Sequence, residues 1–115
     1  MFIAIKDTKV VDQTAVPPQF KTTVEVHNAT LNPLTVSFSF EVRLAGVSSL
    51  HASGLVQNST VPGHETKPYE FPWSGEYQRS YELKVIYGNL TVPGAYTSPP
   101  RLRKLLPVKP PPSPR

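Results

Sequence analysis

Cysteine is absent from this chain, which excludes disulfides and thiolate metal sites together. Small secreted domains often rely on disulfides, so the absence favours a reducing compartment or a virion. No apolar run approaches the ~18 residues of a spanning helix, and no membrane span is expected. Met1-Phe2-Ile3-Ala4-Ile5 meets Lys6 and Asp7 at once, leaving no apolar stretch for a signal peptide. The chain is either the whole product of a short gene or a fragment that begins with Met, and the whole gene is the expectation. The six glycines are scattered and build no phosphate-cradling loop. No Gly-x-Ser-x-Gly elbow occurs. Of His27, His51 and His64, only His64 adjoins a carboxylate, Glu65, and a turn histidine beside a glutamate reads as solvated. Glu65, Glu70, Glu76 and Glu82 offer carboxylates for a glycosidase pair, but Glu70 and Glu82 read more simply as outward faces of strands. The expectation is no enzyme, no metal and no cofactor.

What is present is alternation of period two, with no convincing helix. Leu34 to Leu44 is the clearest strand, with Val36, Phe38, Phe40, Val42 and Leu44 on one face and Thr35, Ser37, Ser39, Glu41 and Arg43 on the other. Phe20 to His27 alternates likewise, and Asn28 to Pro33 reads as a hairpin loop joining the two at the centre of one sheet. Ser49 to Val56 is a weaker strand interrupted by Gly54. Thr66 to Trp73 puts Tyr69, Phe71 and Trp73 opposite Pro68, Glu70 and Pro72, and its prolines predict an edge or a bulge. Trp73 to Tyr77 reads as a turn into Tyr81 to Tyr87. Phe2 to Ile5 and Lys9 to Val11 are short strands before Pro17-Pro18.

Asn58-Ser59-Thr60-Val61-Pro62-Gly63 returns as Asn89-Leu90-Thr91-Val92-Pro93-Gly94. Each copy reads as one type II turn, with proline presetting the first position and glycine taking the positive φ. Short strands punctuated by turns predict an all-β fold, an immunoglobulin-like antiparallel sandwich of about seven strands over residues 1–96. A small closed barrel is the alternative. Phe38, Phe40, Phe71, Trp73, Leu83 and Val85 are the expected core.

Val24-Glu25-Val26-His27-Asn28, leading into an Asn turn, and Pro62-Gly63-His64-Glu65 ahead of Tyr69, Phe71 and Trp73 carry a resemblance. Over residues 20–88 the chain resembles immunoglobulin-like CARDB domains of bacterial and archaeal surface proteins. The resemblance implies an adhesion or spacer module without catalytic residues. Such domains lack a basic proline tail, and fold alone would not assign function.

Three of the four asparagines, Asn28, Asn58 and Asn89, head Asn-x-Ser/Thr sequons, which are glycan acceptors or simply turn chemistry in a Ser/Thr-rich chain. Trp73, Tyr77 and Tyr81 offer either an exposed aromatic platform for sugars or bases, or core-edge packing, which is the simpler reading.

Residues 97–115 hold seven of the fourteen prolines and five of the twelve Lys/Arg, with no acid. The first 96 residues carry seven Lys/Arg against eight Asp/Glu, so the formal +4 belongs to this proline-rich extended arm. An arm of this kind favours polyproline II at ~3.1 Å per residue and loses little entropy on docking. The docking residues we expect are Arg101, Leu102, Arg103, Lys104, Leu105, Leu106, Pro107, Lys109, Pro110 and Arg115. The leucines would fill pockets on neighbouring protein subunits, including copies of the chain itself, while the cations meet acidic surface. Lys104 to Pro110 also fits the basic-x-x-Pro-x-x-Pro pattern read by SH3 adaptors. Nucleic acid is the third reading, disfavoured because the domain itself is not basic. A disordered solubilising tail is the bland one. The expectation we carry forward is a structural protein of a virion, a capsid decoration or cement, with a cell-surface module as the alternative.

Overall fold

A computed structural model describes residues 1–103, so the arm from Lys104 onward lies outside it. Seven strands follow one another: β1 (Phe2–Val10), β2 (Gln19–His27), β3 (Leu34–Leu44), β4 (Ala52–Val61), β5 (Thr66–Ser74), β6 (Ser80–Tyr87) and β7 (Leu90–Thr97). They form two antiparallel sheets, one ordered β1-β2-β5 and the other β4-β3-β6-β7. The fold is an all-β sandwich, and no helix occurs among the described residues. The two sheets stay separate, so the closed barrel is excluded.

The alternation explains the sandwich. In β2 and β3 every second residue is buried, because successive side chains of a strand point to opposite faces. All six expected core residues are buried, together with Phe20, Val24, Val26 and Tyr81. The rings close the gap between the sheets. Phe40 of one sheet stacks on Phe71 of the other at 4.8 Å, and Trp73 meets Tyr81 edge-on at 4.9 Å. Gly54 does not interrupt its strand. It lies on β4 where a Cβ would stand 2.4 Å from the Phe71 ring, so the glycine makes room for the aromatic.

One link differs from the sequence reading. Segment 28–33 is not a hairpin loop: β2 and β3 lie in different sheets, and the segment crosses between them. The link from β5 to β6 also changes sheets. Its corner is held by Tyr81, whose Oη accepts the Glu76 amide at 2.8 Å, the tyrosine corner of Greek-key sandwiches. A Cβ on Gly75 would meet that phenol at 2.5 Å, which is why a glycine stands there. This order and this corner are compatible with an immunoglobulin-like fold.

The repeated Pro-Gly device is also revised. Pro93-Gly94 lies inside β7 and not at a turn; the turn is Gly88-Asn89, where Gly88 takes φ 54°. At Pro62-Gly63-His64-Glu65 the positive φ falls on His64, at 60°. Gly63 is needed for a different reason: a Cβ there would lie 2.2 Å from the Leu31 carbonyl oxygen.

All four exposed edges are blunted against strand addition. β5 carries Pro68 and Pro72, and β7 carries Pro93, none of which has an N–H to offer. β1, one continuous strand where two were expected, is bulged between Ile5 and Asp7. β4 is bulged opposite Val36 and Phe38, where Asn58 adopts φ 51°.

Candidate docking site at the root of the C-terminal arm

The strands place loops 11–18, 45–51 and 75–79 and segment 98–103 at one end of the sandwich, here the lower end. The arm begins there, and its first residues are stitched to the domain. Ser98 is buried, and its hydroxyl donates to the Glu76 carbonyl at 2.7 Å and accepts the Arg79 amide at 2.9 Å. Pro99 and Pro100 have no N–H, so they are held through their carbonyls. Pro99 O accepts the Gln78 amide at 3.2 Å, and Pro100 O accepts Gln13 Nε2 at 2.8 Å. The Leu102 amide then donates to Gln13 O at 2.9 Å, and Arg101 Nε donates to Thr14 O at 3.3 Å.

The loop that receives these bonds is itself fixed. Asp12 Oδ1 accepts the Thr14 amide at 2.9 Å and its hydroxyl at 2.6 Å, an Asx turn closed by Ala15 N to Asp12 O at 3.2 Å. Tyr77 Oη, from the opposite link, donates to Ala15 O at 2.5 Å. Two loops from distant parts of the chain thus clamp the arm where it leaves.

Arg101, Leu102 and Arg103 sit at this root, all exposed. Lys104, Leu105, Leu106, Pro107, Lys109, Pro110 and Arg115, with the SH3-type pattern, lie outside the described residues. Arg101 and Arg103 form no ion pair among the described residues. The acids nearby are already engaged, Glu76 by Arg79 at 2.9 Å and Asp12 by Thr14. Exposed Val11 and Val16 flank the clamp on loop 11–18. Sequence reasoning missed Gln13, Thr14 and Gln78, because nothing in their spacing marks them as partners of segment 98–102.

The other candidate sites resolve differently. Trp73 and Tyr81 are buried and Tyr77 is committed to the clamp, so the three build no exposed platform. Trp73 Nε1 spends its donor on Thr22 Oγ1 at 2.9 Å. Asn28 is fully buried, with Nδ2 donating to Asn32 O at 2.7 Å and Val61 O at 3.0 Å. Both of its amide hydrogens are taken, so it is no glycan acceptor in the folded chain. Asn58 and Asn89 are exposed. The three histidines lie apart, His27 against Thr66 Oγ1 and His51 against Ser74 O, and among the described residues no group of His, Asp or Glu is placed to hold a metal.

No protein-family model matches this sequence, and no curated protein matches it significantly.

Proposed function

We propose that this is a non-enzymatic structural protein of a multi-subunit assembly, a decoration or cement subunit of a virion shell. Its sandwich serves as a rigid base from which the basic, proline-rich arm docks on a neighbour. The observation that carries this reading is the clamp at the root. A solubilising tail has no use for an anchored start, whereas a docking arm that leaves from a fixed point samples fewer orientations and loses less entropy on binding. Arg101 and Arg103, which form no ion pair among the described residues, and the exposed Leu102 add a charged and apolar character suited to an acidic protein surface with pockets.

The test is deletion of residues 104–115, measured as incorporation into the assembly in native-source material. The truncated chain is expected to fold, because every described contact of the sandwich lies before Lys104, and to fail to incorporate. Full incorporation would overturn the reading.

A second reading is favoured by the immunoglobulin-compatible strand order, the tyrosine corner and the exposed Asn58 and Asn89. On that reading the chain is a CARDB-like surface or adhesion module. Glycans at Asn58 and Asn89 on native-source protein would decide for it.

A further inference from the structure

We propose that Arg101-Leu102-Arg103-Lys104 is a processing site, cut after Lys104 by a serine endoprotease that reads paired basic residues. The site goes beyond the docking role above and does not depend on it.

Lys104, Arg103 and Arg101 stand first, second and fourth before the Lys104–Leu105 bond, and residues 97–115 contain no acid. An endoprotease of this class has carboxylates in its substrate pockets, which guanidinium and ammonium groups meet in charge-assisted hydrogen bonds. Leu105 and Leu106 follow the bond, so it carries an ordinary N–H, and Pro107 comes only after them.

The fold shields the other cations. A protease holds its substrate extended through the substrate's own backbone groups, so a segment already bonded is refused until it opens locally. Lys21, Arg43 and Lys84 lie in β2, β3 and β6, each strand paired on both sides. Lys6 and Lys9 lie on β1, bonded to β2, and face Glu25 and Asp7 at 3.6 Å. Lys67 precedes Pro68 and Lys109 precedes Pro110, so neither following bond has an N–H and a rigid ring blocks its approach. Arg79 is stitched to Ser98, whose hydroxyl accepts its amide at 2.9 Å and whose amide donates to its carbonyl at 2.8 Å.

The clamp sets the near limit of the site. The Leu102 amide donates to Gln13 O at 2.9 Å, so the Arg101–Leu102 bond is engaged. Arg103 is exposed and takes no hydrogen bond or ion pair among the described residues. The guanidinium of Arg101 makes one long, exposed bond, Nε to Thr14 O at 3.3 Å, which a pocket carboxylate replaces readily. The Leu102 bond is then the last one the clamp must release for the protease to seat.

The reaction is hydrolysis. The protease serine adds to the Lys104 carbonyl carbon, the bond to the Leu105 nitrogen breaks as that nitrogen takes a proton, and water displaces the serine to leave a Lys104 carboxylate. Nothing is oxidised or reduced. The sandwich keeps its clamp and is separated from residues 105–115, so on the docking role the cut is a release step.

The test treats the folded full chain with a subtilisin-like endoprotease specific for paired basic residues, and separately with trypsin, followed by intact mass. The first enzyme is expected to cut once, after Lys104, leaving a 1–104 product with the melting temperature of the full chain. Trypsin is expected to cut beside Lys104 before it cuts in any strand. The double variant Arg103→Gln with Lys104→Gln should abolish the first enzyme's cut, and Arg101→Gln should slow it about tenfold, the loss of one charge-assisted contact. Protein from native-source material should include a species ending at Lys104. Resistance to the paired-basic enzyme, a first cut in a strand or after Arg79 or Arg101, or native-source protein that is entirely uncut overturns the proposal. The docking role is decided separately by incorporation of the 104–115 deletion.

Discussion

The Asn28 carboxamide donates to the Val61 carbonyl at 3.0 Å and so ties the end of β2 in one sheet to the end of β4 in the other. The same side chain accepts the Thr30 amide at 3.0 Å and hydroxyl at 2.7 Å and donates to Asn32 O, so its hydrogen-bonding capacity is spent on the crossing. Asn28→Ala strips four bonds from a fully buried site. We expect a loss of about 3 kcal/mol, within the range for orphaned buried polar groups, read as a lower urea midpoint with an unchanged slope. Asn28→Asp should be no better, because a carboxylate cannot donate to two carbonyls.

Removing the phenol of Tyr81 leaves the Glu76 amide without its acceptor. Tyr81→Phe keeps the ring packed on Trp73 and Phe20, so its cost isolates the corner bond. The expected loss is about 1–2 kcal/mol in chemical denaturation. A variant as stable as wild type would show that water replaces the bond.

Glycine positions should separate by mechanism. Gly46 has φ 79° and open space where a Cβ would go, so Gly46→Ala meets only backbone strain, about 1 kcal/mol. Gly63→Ala drives a Cβ into the Leu31 backbone and should cost more, with loop 28–33 displaced. Thermal melts of the two variants, with amide exchange at Leu31 and His64, check the order.

Tyr96 links stability to alkaline pH. Burial against Phe20 and Trp73 raises its phenol above the ordinary value of 10.0. The folded state therefore holds this proton more tightly than the unfolded chain does. Its contribution is complete below pH 10.0 and is lost as pH rises through the folded value. Tyr96→Phe is expected to flatten that alkaline loss, seen in denaturation midpoints measured across the range.

Strands and core were legible in the sequence because burial on one face writes itself as alternation, as in Val36 to Leu44. Sheet membership was not. A hairpin and a sheet-to-sheet crossing both need a short polar link, and what distinguishes segment 28–33 is the bonding of one carboxamide. β7 was hidden by Pro93-Gly94, a turn pair in most settings. On an edge strand the missing N–H of Pro93 costs little, and Gly94 leaves space for Ile5, whose Cδ1 would lie 2.8 Å from a Cβ there. The arm itself was plain from its composition. Its clamp was not, since backbone carbonyls of Gln13 and Thr14 can come from any residue type.

The docking role turns on where the arm lies in the assembly. Cross-linking mass spectrometry on native-source material, following Lys104 and Lys109, measures this directly. Links from both lysines to a neighbouring subunit are the predicted result. Links only to the chain's own domain, or none from either lysine, would contradict the account.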